Sequence, residues 1–415
     1  MQTKLAEFIR DTTAGREADA ILRSCVHCGF CNATCPTFQL LGDELDGPRG
    51  RIYLIKAMLE GLPVTATTQL HLDRCLSCRA CETTCPSGVN YHRLLDIGRE
   101  VLEQQVPRSV QSRATRFLLR EVLPRERLFR PRLRASQILQ PLLPRALADK
   151  LPKPATATPW PRSPGRSRTM IVLAGCVQPA LAPNTNAATA RVLDRLGIEL
   201  VEVQGAACCG ALRYHLDDPS QARVDMRRVI DAWWPYFESG RVEGVVMTAS
   251  GCGAHVREYG TMLRHDPAYA EKAARIAALT RDVSEVLVAE QGRLLELFLQ
   301  CGPGSGQRVA FHSPCTLQHA QKVRGVVEGL LVAAGYQLTS VADGHLCCGS
   351  AGTYSITQPK LSRELRDQKL AAMRAGSPAL LVTAHVGCQR HLQSGSRRPV
   401  RHWIELIDER LRGVD

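Results

Sequence analysis

One cysteine pattern, written twice, limits what this chain can fold into. Cys25-x-x-Cys28-x-x-Cys31-x-x-x-Cys35-Pro36 recurs 50 residues later as Cys75-x-x-Cys78-x-x-Cys81-x-x-x-Cys85-Pro86. Three thiolates at a spacing of three wrap one corner of an iron-sulfur cube, and the fourth, carried away on a short turn, reaches the other cube. The expected ligand sets are therefore crossed. Cys25, Cys28, Cys31 and Cys85 hold one four-iron four-sulfur (4Fe-4S) cluster, and Cys35, Cys75, Cys78 and Cys81 hold the second. Structural zinc is the competing reading, but it takes two Cys pairs, or Cys pairs with His, in a tetrahedron. Three cysteines in seven residues and a fourth before proline fit a cube better.

The repeated run is the ferredoxin spelling. Helical stretches between its two copies point to an all-helical two-cluster ferredoxin domain over residues 1–105. Residues 1–24 read as a lead-in helix, with Leu5, Phe8, Ile9, Ile21 and Leu22 as its apolar positions. Gly47-Pro48-Arg49-Gly50-Arg51 reads as a turn before a helix whose Ile52, Ile55, Met58 and Leu59 share a face. The arginines of that turn are candidates for raising a cluster's potential.

Cube ligands must stay reduced, so seventeen cysteines, nearly all in repeated groups, imply a cytosolic compartment. The first twenty residues carry charges throughout and lack the apolar core of a signal peptide. Nowhere do about 18 apolar residues run together, so any membrane contact is peripheral. The net charge of +13 suggests nucleic acid until it is located. Between Val106 and Arg168, fifteen Lys and Arg face three acids, Glu121, Glu126 and Asp149, and the rest of the chain is almost neutral. No basic stripe is interleaved with aromatics, so no nucleic-acid partner is expected. Residues 106–168 instead read as a basic, Pro-rich linker with short helical pieces suited to an acidic partner or an anionic membrane surface.

A second duplication follows. Cys176, Cys208, Cys209 and Gly210 recur as Cys315, Cys347, Cys348 and Gly349, each displaced by 139, while Cys252 recurs as Cys388 at 136. Each copy reads as strand, Cys, helix, strand, Cys-Cys-Gly, helix and a last strand ending at the final Cys, which is α/β. The expected modules are residues 169–300 and 301–415. Cysteines at strand ends converge on the sheet edge where open α/β folds bind ligands. A further iron-sulfur site in at least one module is the functional reading and zinc the lesser option. Adjacent buried cysteines acting as small apolar residues are the plain alternative. The whole is an α+β multidomain chain.

These modules resemble the cysteine-rich CCG domain found in heterodisulfide reductases, E-type succinate:quinone reductases and anaerobic glycerol-3-phosphate dehydrogenases. That family ends in a Cys-x-x-Cys pair, and its five cysteines can hold a noncubane cluster. Here Ala249 and His385 stand where the first Cys of each pair would be, so one ligand is lost from each module. His255 and His391, three residues beyond the last cysteines, are candidate substitutes.

Over its full length the chain resembles the iron-sulfur subunits of bacterial glycolate oxidases (glycolate dehydrogenases). The likeness rests on CVHCGFCNATCPTFQLLGDELDGPRGRIYLIK, DRCLSCRACETTCPSG, LAGCVQPALAPNTNAA, DAWWP and MTASGCG. It implies a subunit that takes electrons from flavoprotein partners oxidising glycolate to glyoxylate and passes them toward a membrane quinone, at the inner face of the cytoplasmic membrane. No strand is followed by Gly-x-Gly-x-x-Gly opening a helix. FAD is accordingly expected only in the partner subunits, and this chain carries no catalytic residue for glycolate. Two alternatives remain open. One is the iron-sulfur subunit of a related D-lactate or glycerol-3-phosphate dehydrogenase. In the other, the CCG modules themselves reduce a disulfide or quinone.

Overall fold

The computed structural model describes residues 1–142, 151–161 and 165–412. Its first third is helical. The expected single lead-in helix is two, Glu7–Arg10 and Thr13–Ser24, because Thr12 turns extended and its hydroxyl accepts from the Gly15 amide at 2.9 Å, starting a new helix. The helix after the Gly-Pro turn starts at the proline itself, Pro48–Leu59, since proline at the first helical position lacks only an amide that would be orphaned anyway. Its buried Ile52, Ile55, Met58 and Leu59 pack with Leu94, Leu95 and Leu102 of helix Tyr91–Gln105 into one core that also takes in Cys25 and Cys81.

The remainder holds two sheets of identical topology. β1 (Arg168–Val172), β2 (Ile198–Glu202), β3 (Val245–Met247) and β4 (Thr280–Asp282) run in the order β2-β1-β3-β4, all parallel. β5 (Arg308–His312), β6 (Gln337–Leu338), β7 (Leu380–Thr383) and β8 (Val400–His402) repeat it as β6-β5-β7-β8. Parallel strands need helical crossovers and are buried on both faces, which is why β3 and β7 are buried along their whole length. β4 and β8 are fourth strands beyond the three read from each repeat. Strand order reverses between β1 and β3, and again between β5 and β7, which opens a crevice at the carboxyl ends. The final cysteine of each module lies one step past its expected place at a strand end. Cys252 is the third residue of helix Ser250–Arg257, and Cys388 the third of Val386–Gln393.

The two modules share a core. Helix Asn184–Arg195 of the first packs on helix Trp403–Leu411 of the second, with Val192, Leu193, Trp403 and Ile407 buried between the sheets and Arg191 paired to Asp408 at 2.7 Å. Between the helical domain and the first sheet lie helices Val110–Val122 and Glu126–Ile138. No described helix is long and apolar enough to cross a membrane.

Candidate iron-sulfur sites

The twin cysteine runs fold into the same loop. His27 and Ser77 have φ of 56° and 51°, and Gly29 and Arg79 have 84° and 64°, so both pairs, 50 residues apart, are left-handed. Strained backbone at matching positions is the mark of a loop shaped around something. Amide N–H groups of these loops approach the thiols: Ser77 N lies 3.4 Å from Cys75 Sγ, and Val89 N 3.4 Å from Cys85 Sγ.

Cys25, Cys28, Cys31 and Cys85 line one cavity of about 440 Å³, part of it open to solvent, with Pro48, Ile52 and Val89 among its walls. Cys81, from the neighbouring group, touches the same cavity. Burial lifts the Cys31 thiol to about 11, and Cys25, Cys85 and Cys28 add to the rise. Beside it lies the second group. Burial pushes Cys81 well up, followed by Cys78, Cys75 and Cys35. The structure thus brings together the two crossed sets, one cysteine of each set arriving from the other run. Crowded thiols that repel one another's ionisation form a poor resting state without metal. They suit a cationic cluster that displaces their protons, so the donor chemistry fits 4Fe-4S.

Around the second group stands a polar lattice. Asp46, fully buried, takes Arg74 at 2.7 Å, His71 at 3.0 Å and Arg51 at 3.5 Å. Its carbonyl accepts from the Thr37 hydroxyl at 2.8 Å, and Thr37 Oγ1 lies 3.3 Å from Cys35 Sγ. Of the turn arginines, Arg49 pairs with Glu44 at 2.6 Å near the surface, whereas Arg51 is 1% exposed. Burial works against the Arg51 cation, but Cys75, Tyr91, Cys35 and Asp46 around it raise its pKa further above its ordinary value.

In the first module Cys176, Cys208, Cys209 and Cys252 gather at the crevice. The neighbouring thiols of Cys176 and Cys209 pull Cys208 well below the ordinary thiol range, while Cys176 is held up first by Cys208 and then by burial, and the Gly210 amide lies 3.5 Å from Cys208 Sγ. His255 is buried, and its Nε2 has no hydrogen-bond partner. In the second module Cys315 Sγ lies 3.8 Å from Cys347 Sγ, and the Cys348 and Cys388 ligand atoms lie within 4.8 Å of each other. His391 is occupied by the Ser362 hydroxyl and carbonyl, each at 3.1 Å. The glycines of both Cys-Cys-Gly turns are left-handed, at φ 90° and 84°, and a Cβ on Gly349 would stand 2.6 Å from the Ser362 carbonyl oxygen. Only glycine fits such a turn against its helix.

Three features escaped the sequence reading. First, the second cysteine group abuts the second module: Cys78 packs with Leu76, Cys315, Cys347 and Tyr354, and Cys315 follows burial in raising the Cys78 thiol. Second, His312 lies beside Cys348 and Cys388. Third, a polar seam joins the domains. Glu258 meets Arg79 and lies 3.2 Å from His92, Tyr214 donates to Asp96 at 3.1 Å, and the linker's Arg108 and Arg116 both pair with Asp73 and Asp217. Repeat arithmetic could have flagged His312. The seam has no sequence signal, because its partners lie far apart along the chain.

A helical fold with two crossed cysteine groups, followed by two cysteine-lined crevices, defines an iron-sulfur electron-transfer protein. In agreement, the 4Fe-4S dicluster domain family matches residues 21–89, and the Cysteine-rich domain family matches residues 170–257 and 309–393. The glycolate oxidase iron-sulfur subunit of Escherichia coli (strain K12) is 54% identical over 99% of both chains. The probable glycolate oxidase iron-sulfur subunit of Bacillus subtilis (strain 168) is 31% identical over 91% of this chain and 89% of its own. Lactate utilization protein A of Bacillus licheniformis is 28% identical over 57% of this chain and 97% of its own. The chain belongs to the glycolate oxidase iron-sulfur subunit family.

Proposed function

We propose that this chain relays electrons one at a time from a flavoprotein partner that oxidises glycolate to glyoxylate, through two 4Fe-4S clusters, toward a membrane quinone. The observation that carries the reading is the adjacency of the crossed cysteine groups, the first open at the surface and the second packed against another domain. When bound, the clusters supply one-electron chemistry at potentials set by charge and hydrogen bonding around their sulfurs. Cys25, Cys28, Cys31 and Cys85 would hold the first, and Cys35, Cys75, Cys78 and Cys81 the second. The chain's other residues exclude water and set the charge. Ile52 and Val89 wall the first site, while Arg51 and Tyr91, whose hydroxyl lies 3.6 Å from Cys75 Sγ, flank the second.

Electrons enter at the first site. Cys28 is exposed, and Val26, Phe30 and Tyr53 beside it are 67%, 59% and 60% exposed, an apolar collar of the kind a protein partner covers. Oxidising a 2-hydroxy acid removes two electrons together, so a flavin in the partner must divide them. The test uses flavin subunits purified without this chain. They should reduce their own flavin with glycolate yet fail to reduce a quinone, and adding the chain should restore transfer. Cys28→Ala or Cys78→Ala should abolish that transfer and leave flavin reduction intact. If the chain alone bound flavin and turned over glycolate, the relay reading would be wrong. Lactate serves as the competing substrate, given the similarity to lactate utilization proteins.

A further inference from the structure

The two cysteine-rich modules are copies, but their crevices hold different donors. Counting back 139 from His312 gives Leu173, and counting back 136 from His385 gives Ala249. Leu173 is buried in the core of the first module, as its type requires. The second module puts imidazoles at both places. His312 ends β5 at the sheet's carboxyl edge, 1% exposed, with neither ring nitrogen hydrogen-bonded. A fully buried imidazole with two unmet nitrogens is costly, since a buried polar atom without a partner forfeits the hydrogen bonds it made with water. Its persistence calls for a partner absent from the polypeptide.

That partner's place is defined by three elements. Ligand atoms of His312 from β5, Cys348 from the Cys-Cys-Gly turn and Cys388 from the first turn of helix Val386–Gln393 lie within 4.8 Å of one another, and all three residues are buried. We infer that His312, Cys348 and Cys388 form a mononuclear site for a borderline-soft divalent cation, zinc above all, in the second module. Two thiolates and an imidazole are a zinc donor set, with bonds of about 2.3 Å to sulfur and about 2.0 Å to nitrogen, so the present separations need only a small contraction. The family's noncubane cluster wants five cysteines, whereas this module has four and the two histidines. Cys347, adjacent to Cys348 in the Cys-Cys-Gly turn, and His385, half-buried at the position of the lost cysteine, are the nearest further donors. Binding releases the two thiol protons and transfers no electron, which makes the module a rigid abutment for the second ferredoxin-type group at Cys78 and not a further carrier.

The test is metal analysis of the anaerobically purified full-length chain, with iron and zinc counted together. Expected are about eight irons in two cubes and about one zinc. His312→Gln should lose the zinc while keeping the iron and the electron paramagnetic resonance signals of the cubes, which also shows that the variant folds. His312→Cys should keep the zinc. Cobalt in place of zinc should give the intense visible bands of a tetrahedral thiolate site in the wild type and lose them in His312→Gln. Either of two results overturns the inference: iron well above eight per chain with no zinc, or zinc retained in full by His312→Gln. Neither touches the relay reading, which depends on the eight N-terminal cysteines.

Discussion

Arg51 joins a buried hydrogen-bond lattice to the second group of cysteines. It donates to the His71 carbonyl at 2.8 Å and to Thr37 Oγ1 at 3.2 Å, leans on Asp46, and places a buried cation near Cys35 and Cys75. A cation held in low dielectric favours the more negative, reduced form of a neighbouring cluster. Arg51→Met keeps the bulk and removes the charge, and Asp46 still has Arg74 and His71. The midpoint potential of the second cluster should therefore fall, by about 59 mV for every ~1.4 kcal/mol of lost stabilisation in a one-electron couple. The first cluster, flanked by the more exposed Arg49, should hold its value. A redox titration followed by electron paramagnetic resonance reads both, and equal shifts at the two clusters would show that Arg51 acts through the fold and not through its field.

The seam between helices depends on pH in a direction that can be worked out. His92, in helix Tyr91–Gln105, meets Glu82 at 2.8 Å and Glu258, after helix Ser250–Arg257, at 3.2 Å. Burial alone would lower His92, but those carboxylates outweigh it and lift the imidazole to about 9, while Glu258, against its own burial, is drawn down to about 2. A raised His contributes stability below its unfolded value, about 6.5, that is lost as pH climbs through 9. A depressed Glu contributes above about 4.5, and its share is lost as pH falls toward 2. The seam should be firmest between roughly pH 4.5 and 6.5, and melting temperature should decline from there to pH 9. His92→Gln should flatten that decline, and an unchanged slope would remove His92 as its cause. Elements of this kind were the least legible in the sequence. The cysteine loops could be read because ligands closing on one cluster must recur at short, fixed spacing. The crevice cysteines could be read because a duplication repeats its offsets. Arg79 meeting Glu258, or Arg116 meeting Asp217, obeys no local period, and such pairs exist only once the domains are docked. His312 lay between these cases, invisible alone and evident once set against Leu173.

At the scale of the whole molecule, the basic segment places its charge in two settings, one buried and one exposed. Arg108 and Arg116 are spent inside, tying Asp73 of the helical domain to Asp217 of the first module. Helix Val110–Val122 is consequently turned out of its usual sense, with Arg116 buried and Phe117 and Leu118 each 59% exposed. Further along, Arg125, Arg127, Arg130, Arg132 and Arg134 are exposed, and Ile138 and Leu142 are 77% and 80% exposed. Exposed apolar side chains rimmed by exposed arginines are what an anionic bilayer surface attracts, each basic residue adding about 1 kcal/mol near the lipid. Neutralising those five arginines to Gln should release the protein from vesicles containing anionic lipid, as should raised salt, because exposed charge is screened over about 8 Å at physiological ionic strength. Phe117→Ser with Leu118→Ser should weaken the same binding without that salt dependence. Arg116→Gln should behave differently: vesicle binding persists while thermal stability falls by about 1.5–3 kcal/mol, the loss of charged hydrogen bonds at carboxylates that Arg108 still holds. Co-sedimentation with anionic and with neutral vesicles, beside a thermal melt of each variant, separates the two roles. Should the five-arginine variant sediment with anionic vesicles as well as the wild type, the exposed arginines have no part in membrane contact.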